Sequence, residues 1–167
     1  MVTVVMAPAG GPSKTRVAAR HLGRNRPDSG VVYTGVFLDV MGHKRLLTAF
    51  PPEHPTLYAH HMTIWHFQDG GAVPDLPWGK TVPLKVVGHF SDGHVQAVMV
   101  EAPGAIRPKG RTPHITISTD GIGPAASRGM LPSGWAKVQG MVTIKGKIGW
   151  VGAHEQVHFE PPTERYT

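Results

Sequence analysis

The sequence predicts an α+β domain of mostly antiparallel sheets with a few short helices. Short β-branched and aromatic segments recur between turn residues, and the chain carries 21 glycines and 16 prolines among 167 residues. Helical character is confined to residues 41–49 and to a turn or two within 121–134. With 40% apolar and 17% charged residues, the composition excludes a coiled coil, a collagen-like fibre and a highly charged disordered chain.

Taken in order, the elements follow from local chemistry. The run VVYTGVFLDV (31–40) lies between Ser29-Gly30 and Gly42 and reads as a strand. Residues 41–49 form a short helix that Pro51-Pro52 stops. Residues 59–67 (AHHMTIWHF) are strand-like, and 81–90 and 94–102 flank Ser91-Asp92-Gly93 as a hairpin. A basic, proline-bearing loop (Arg107 to Arg111) enters the strand His114 to Thr119, and two more strands are expected at 138–145 and 147–153. No linker divides residues 29–167, so they form one domain behind a leader, 1–28.

The formal charge of +6 is concentrated in that leader, where Lys14, Arg16, Arg20, Arg24 and Arg26 face Asp28 alone. Such a start suits a nucleic-acid contact, a transit peptide or a solvated tail. Gly10-Gly11-Pro12-Ser13-Lys14-Thr15 does not meet the phosphate-loop pattern. The absence of cysteine excludes disulfides, a thiolate nucleophile and Cys-ligated metal, and favours a cytoplasmic setting. No apolar run approaches the roughly 20 residues of a membrane-spanning helix, so no membrane partner is expected.

Two tetrapeptides share one grammar: His61-Met62-Thr63-Ile64 and His114-Ile115-Thr116-Ile117. Strand alternation turns each His and Thr to one face and each pair of apolar residues to the other. If the strands lie side by side or about a pseudo-twofold axis, two imidazoles and two hydroxyls converge. Such a set supplies what phosphodiester displacement needs: a base, an acid, and donors for the non-bridging oxygens. Imidazole, with an ordinary pKa of about 6.5, serves as either at neutral pH.

These motifs resemble those of the two-histidine (2H) phosphoesterase superfamily, the LigT-like group, defined by two H-x-[ST]-φ motifs, φ being apolar. Supporting likeness lies in Tyr33 to Ala49 and in the Gly-Pro-Ser loop after the second motif. The opening strand, the Pro-Pro loop before His61 and the stretch Gly121 to Leu131 look most like the cyclic phosphodiesterase domains of tRNA ligases. The likeness begins after residue 28. It implies two lobes with pseudo-twofold symmetry and a cleft between them, His61, His114, Thr63 and Thr116 as catalytic residues, and no cofactor. It further implies hydrolysis of 2′,3′-cyclic phosphate RNA ends, with RNA or a nucleotide as partner. Destruction of cyclic oligonucleotide signals and a non-catalytic RNA-binding module in the same cleft are the alternatives.

Secondary candidates surround this set. Arg107, Lys109 and Arg111 precede His114 and suit a polyanion, or serve only as a soluble loop. Tyr33, Tyr58 and Trp65 are base-stacking candidates, Trp65 first because alternation gives it the face of His61 and Thr63, although a core aromatic is the favoured reading of it. Ser118 continues the face of His114, as a phosphate donor or a cross-strand hydrogen-bond partner. His60 and His66 fall on the face opposite His61 and read as structural; His154 and His158 stay unassigned. The sequence offers neither a His-x-His pair nor a helical His pair four apart, and no metal site is expected.

Overall fold

The computed structural model describes residues 30–121 and 135–162. The basic leader, most of the 121–134 segment and the Gly-Pro-Ser loop lie outside the described residues. The elements are β1 (Val31–Leu38), α1 (Val40–Ala49), β2 (Thr56–Leu57), β3 (His61–His66), β4 (Thr81–Ser91), β5 (Val95–Glu101), β6 (His114–Thr119), β7 (Ala136–Gly152) and β8 (Val157–His158). Single 3₁₀ turns occupy Phe67–Asp69 and Gly104–Ile106. The described part is therefore mostly antiparallel strand with one helix, an α+β arrangement. Among the described residues no helix is long and apolar enough to cross a membrane.

The strands run in the order β1-β3-β6-β5-β4-β7, and β7 pairs back to β1, so six strands close into a barrel. Closure leaves few free strand edges. One face of each strand fills the interior: Val36, Met62, Ile64, Val82, Leu84, Val86, Val98, Val100, Ile115, Ile117, Ile144 and Ile148 form a single buried cluster. Leu46 of α1 joins it. Asp39 caps that helix, its carboxylate accepting from the Gly42 amide at 2.6 Å.

The two strands expected at 138–145 and 147–153 are one 17-residue strand. Gly146 does not break it; there the strand passes from one partner to the other, opposite Val82 of β4 and Leu38 of β1. A Cβ at Gly146 would stand 2.6 Å from the Phe37 carbonyl oxygen and 2.7 Å from a Val36 methyl. Gly146→Ala is therefore expected to destabilise by about 1–3 kcal/mol in urea unfolding, as overpacking of a closed core does. The two-residue strands β2 and β8 are too short for the sequence pattern to register. β8 folds back on β7, and His158 stacks on Trp150 with ring centroids 4.2 Å apart.

Candidate active site

The site is built on the outer face of β3 and β6. Met62 stands opposite Ile115, and both are fully buried in the barrel interior. Ile64 and Ile117 point the same way. By alternation His61 and Thr63 on one strand and His114 and Thr116 on the other share the opposite, outward face, and all four are half-buried. The Met62–Ile115 register has a further consequence. Continued by one residue either way, that antiparallel register sets His61 across from Thr116 and Thr63 across from His114. The histidines are then diagonal neighbours, for which backbone separations run to about 7–8 Å.

The walls come from the flanking strands. On β1, Phe37 stands opposite His61 and Gly35 opposite Thr63. Tyr33 and Phe37, 6.0 Å apart, cluster with the His61 ring, their centroids 4.9 and 5.4 Å from it. Gly35 keeps this wall close: a Cβ there would lie 2.6 Å from the Met62 carbonyl oxygen. Phe159 meets Phe37 edge-on at 6.3 Å and carries Lys147 over its ring. Beyond β6, Trp135 lies 6.5 Å from the His114 ring.

Charge is tightly controlled here. Burial, then His60 and His114, hold the His61 imidazole well below its ordinary pKa, so it is neutral at pH 7. Burial and His43 lower His60 to about 4. The Tyr33 hydroxyl is pushed upward by burial and by Glu155 and stays a neutral phenol. His114 donates its Nδ1–H to the Thr112 carbonyl at 2.8 Å.

Three side chains sit elsewhere than alternation alone expects. A β-bulge between Thr34 and Gly35 sets Trp65 opposite buried Thr34, so Trp65 packs against the core rather than beside His61 and Thr63. The same bulge brings His66 opposite Tyr33, where the rings stack at 6.5 Å. His60 is not on the opposite face either. Ala59 adopts φ +60°, regular alternation begins only at His61, and the His60 and His61 rings lie side by side with centroids 4.4 Å apart.

Of the remaining candidates, Ser118 is fully buried, donating to Gln96 Oε1 at 2.7 Å and accepting from the His54 amide at 3.2 Å. It serves the cross-strand network that fixes the 51–54 loop. Arg107 and Lys109 are exposed on the approach to β6. Arg111 is mostly buried and paired with Asp69, whose other carboxylate oxygen accepts from the His66 amide. It ties the loop before His114 to the end of β3. The Tyr58 ring lies 6.3 Å from that of His60.

Among the described residues no three His, Asp or Glu side chains converge as a metal cage. Comparison of the chain with protein-family models, with curated proteins and with solved structures finds no match.

Proposed function

We propose that the protein is a metal-independent phosphodiesterase of the two-histidine type that opens 2′,3′-cyclic phosphates on RNA ends. The observation that supports this best is the Met62–Ile115 register, which sets the two His-x-Thr pairs side by side on one face of neighbouring strands. In this reading the motif strands belong to two lobes related by a pseudo-twofold axis, and the phosphate lies in the cleft between them. The chain acts within the cytoplasm on RNA or nucleotide ends.

His61, neutral because burial and a neighbouring imidazole disfavour its charge, takes the proton of the attacking water. As the water oxygen bonds to phosphorus, the bond to one ribose oxygen breaks, and His114 protonates that oxygen through Nε2. The Thr112 carbonyl stabilises the imidazolium of His114 by accepting its Nδ1–H. Mutual repulsion of two close imidazolium charges favours the state with one proton between them, which is the state an acid/base pair needs. Thr63 and Thr116 donate to the non-bridging oxygens.

The test is a pH series of kcat/KM on a 2′,3′-cyclic nucleotide. A bell is expected, rising as the base loses its proton and falling as the acid loses its own. Because the His61 pKa is lowered, the rising limb should lie below pH 6.5. A rate that climbs steadily through pH 9 with no falling limb would remove the histidine acid.

A further inference from the structure

Behind His61 lies a second imidazole that the two-histidine mechanism leaves unused. His60 Nδ1 stands 2.6 Å from His61 Nδ1, a distance at which one nitrogen must donate a proton and the other accept it. This contact requires His60 to leave the strand alternation, and the structure holds it there from α1. Buried His43 donates its Nδ1–H to the Ala59 carbonyl at 2.7 Å, across the element boundary. Ala59 itself is fully buried with φ +60°, and the His60 carbonyl accepts from the Leu38 amide at 2.9 Å. A left-handed alanine is an unfavourable backbone state that persists only where its surroundings fix it.

The direction of the shared proton follows from the base role proposed for His61. A base that takes a proton at Nε2 must already carry its other proton on Nδ1. His61 Nδ1 is then the donor across the 2.6 Å contact and His60 Nδ1 the acceptor.

We infer that His60 is a positioning residue for His61, accepting the His61 Nδ1–H so that the His61 Nε2 lone pair is held toward the phosphate. The inference rests on the acid/base reading of the preceding subsection. A ring nitrogen stands where a carboxylate or carbonyl orients the base histidine in other acid/base sites. When His61 takes the proton of water at Nε2, its Nδ1–H stays on the same acceptor, and the hydrogen bond strengthens as the ring gains charge. A neutral acceptor stabilises that charge less than a carboxylate does, so the base remains neutral in mildly acidic solution. The low pKa of His60 agrees with its entering as a neutral acceptor. The other titratable groups in contact with or electrostatically coupled to the pair include His43, Tyr33, Tyr58 and His114.

The test compares His60→Phe, which keeps a ring and removes the acceptor, with His60→Asn, whose side-chain oxygen can still accept. ¹⁵N NMR of the imidazoles at pH 7.5 should show His61 protonated at Nδ1 in the parent and in His60→Asn, and shifted to Nε2 in His60→Phe. With cytidine 2′,3′-cyclic monophosphate as probe, His60→Phe should lose at least about tenfold in kcat with KM little changed, and His60→Asn should recover most of it. His60→Asp should move the rising pH limb upward. Nε2-protonated His61 in the parent, or a tautomer indifferent to His60→Phe in a protein that melts normally, would overturn the inference. Should the parent prove inactive on every phosphodiester, the phosphodiesterase reading fails while the NMR result still decides the tautomer.

Discussion

His61→Ala and His114→Ala should each lower turnover of a 2′,3′-cyclic nucleotide by at least roughly 100-fold, since each removes a positioned proton-transfer group. Both imidazoles are half-buried on the outer face of the barrel, while Met62, Ile64, Ile115 and Ile117 on the other face carry the packing. The variants should therefore melt close to the parent, and the loss should appear in kcat. The double variant should be little worse than either single one, because acid and base act as a unit. Thr63→Ala or Thr116→Ala should lose less, as one of several phosphate donors is removed. A His114→Ala protein as active as the parent would contradict the acid role.

Acid should weaken the fold itself between pH 6.5 and about 4. Folded His60 resists protonation until about pH 4, and His61 is likewise lowered, in both cases chiefly by burial. Unfolded imidazoles take their protons near pH 6.5, so in this window the unfolded chain binds more protons and gains population as pH falls. The loss is complete once pH drops below the folded value. For His60, discounted for its partial exposure to solvent, it amounts to on the order of 2 kcal/mol. Urea midpoints from pH 7.5 to 4 measure it, and His60→Asn should flatten part of the decline. A midpoint constant across that range would contradict the buried pair.

Much of this molecule was legible because its strands obey simple alternation. The strand His114–Thr119, the helix stopped before Pro51 and the hairpin across Ser91-Asp92-Gly93 stand where turn residues and β-branched runs put them. The two His-x-Thr pairs were legible for the same reason, as period two assigns them one face without knowledge of the partner strand. What failed was whatever depends on a break in that period. The bulge facing Thr34 sends Trp65 inward and His66 outward, and it arises from the pairing of β1 with β3. Left-handed Ala59 turns His60 toward His61, and the carbonyl that helps fix it is held by His43, 16 positions earlier. The break at Ala59 has no glycine or proline beside it to announce it, and Gly35 at the bulge lies inside an otherwise regular β-branched run. Gly146 misled in the other direction, being a crossing point within a strand rather than an end.

The most direct measurement is the hydrolysis of an RNA oligonucleotide ending in a 2′,3′-cyclic phosphate, followed with and without excess chelator. The expected result is one monophosphate product formed at the same rate in both conditions, and lost in His61→Ala and His114→Ala. Activity abolished by chelator and restored by a divalent metal would make the histidines ligands, and the acid/base mechanism proposed for them would be contradicted.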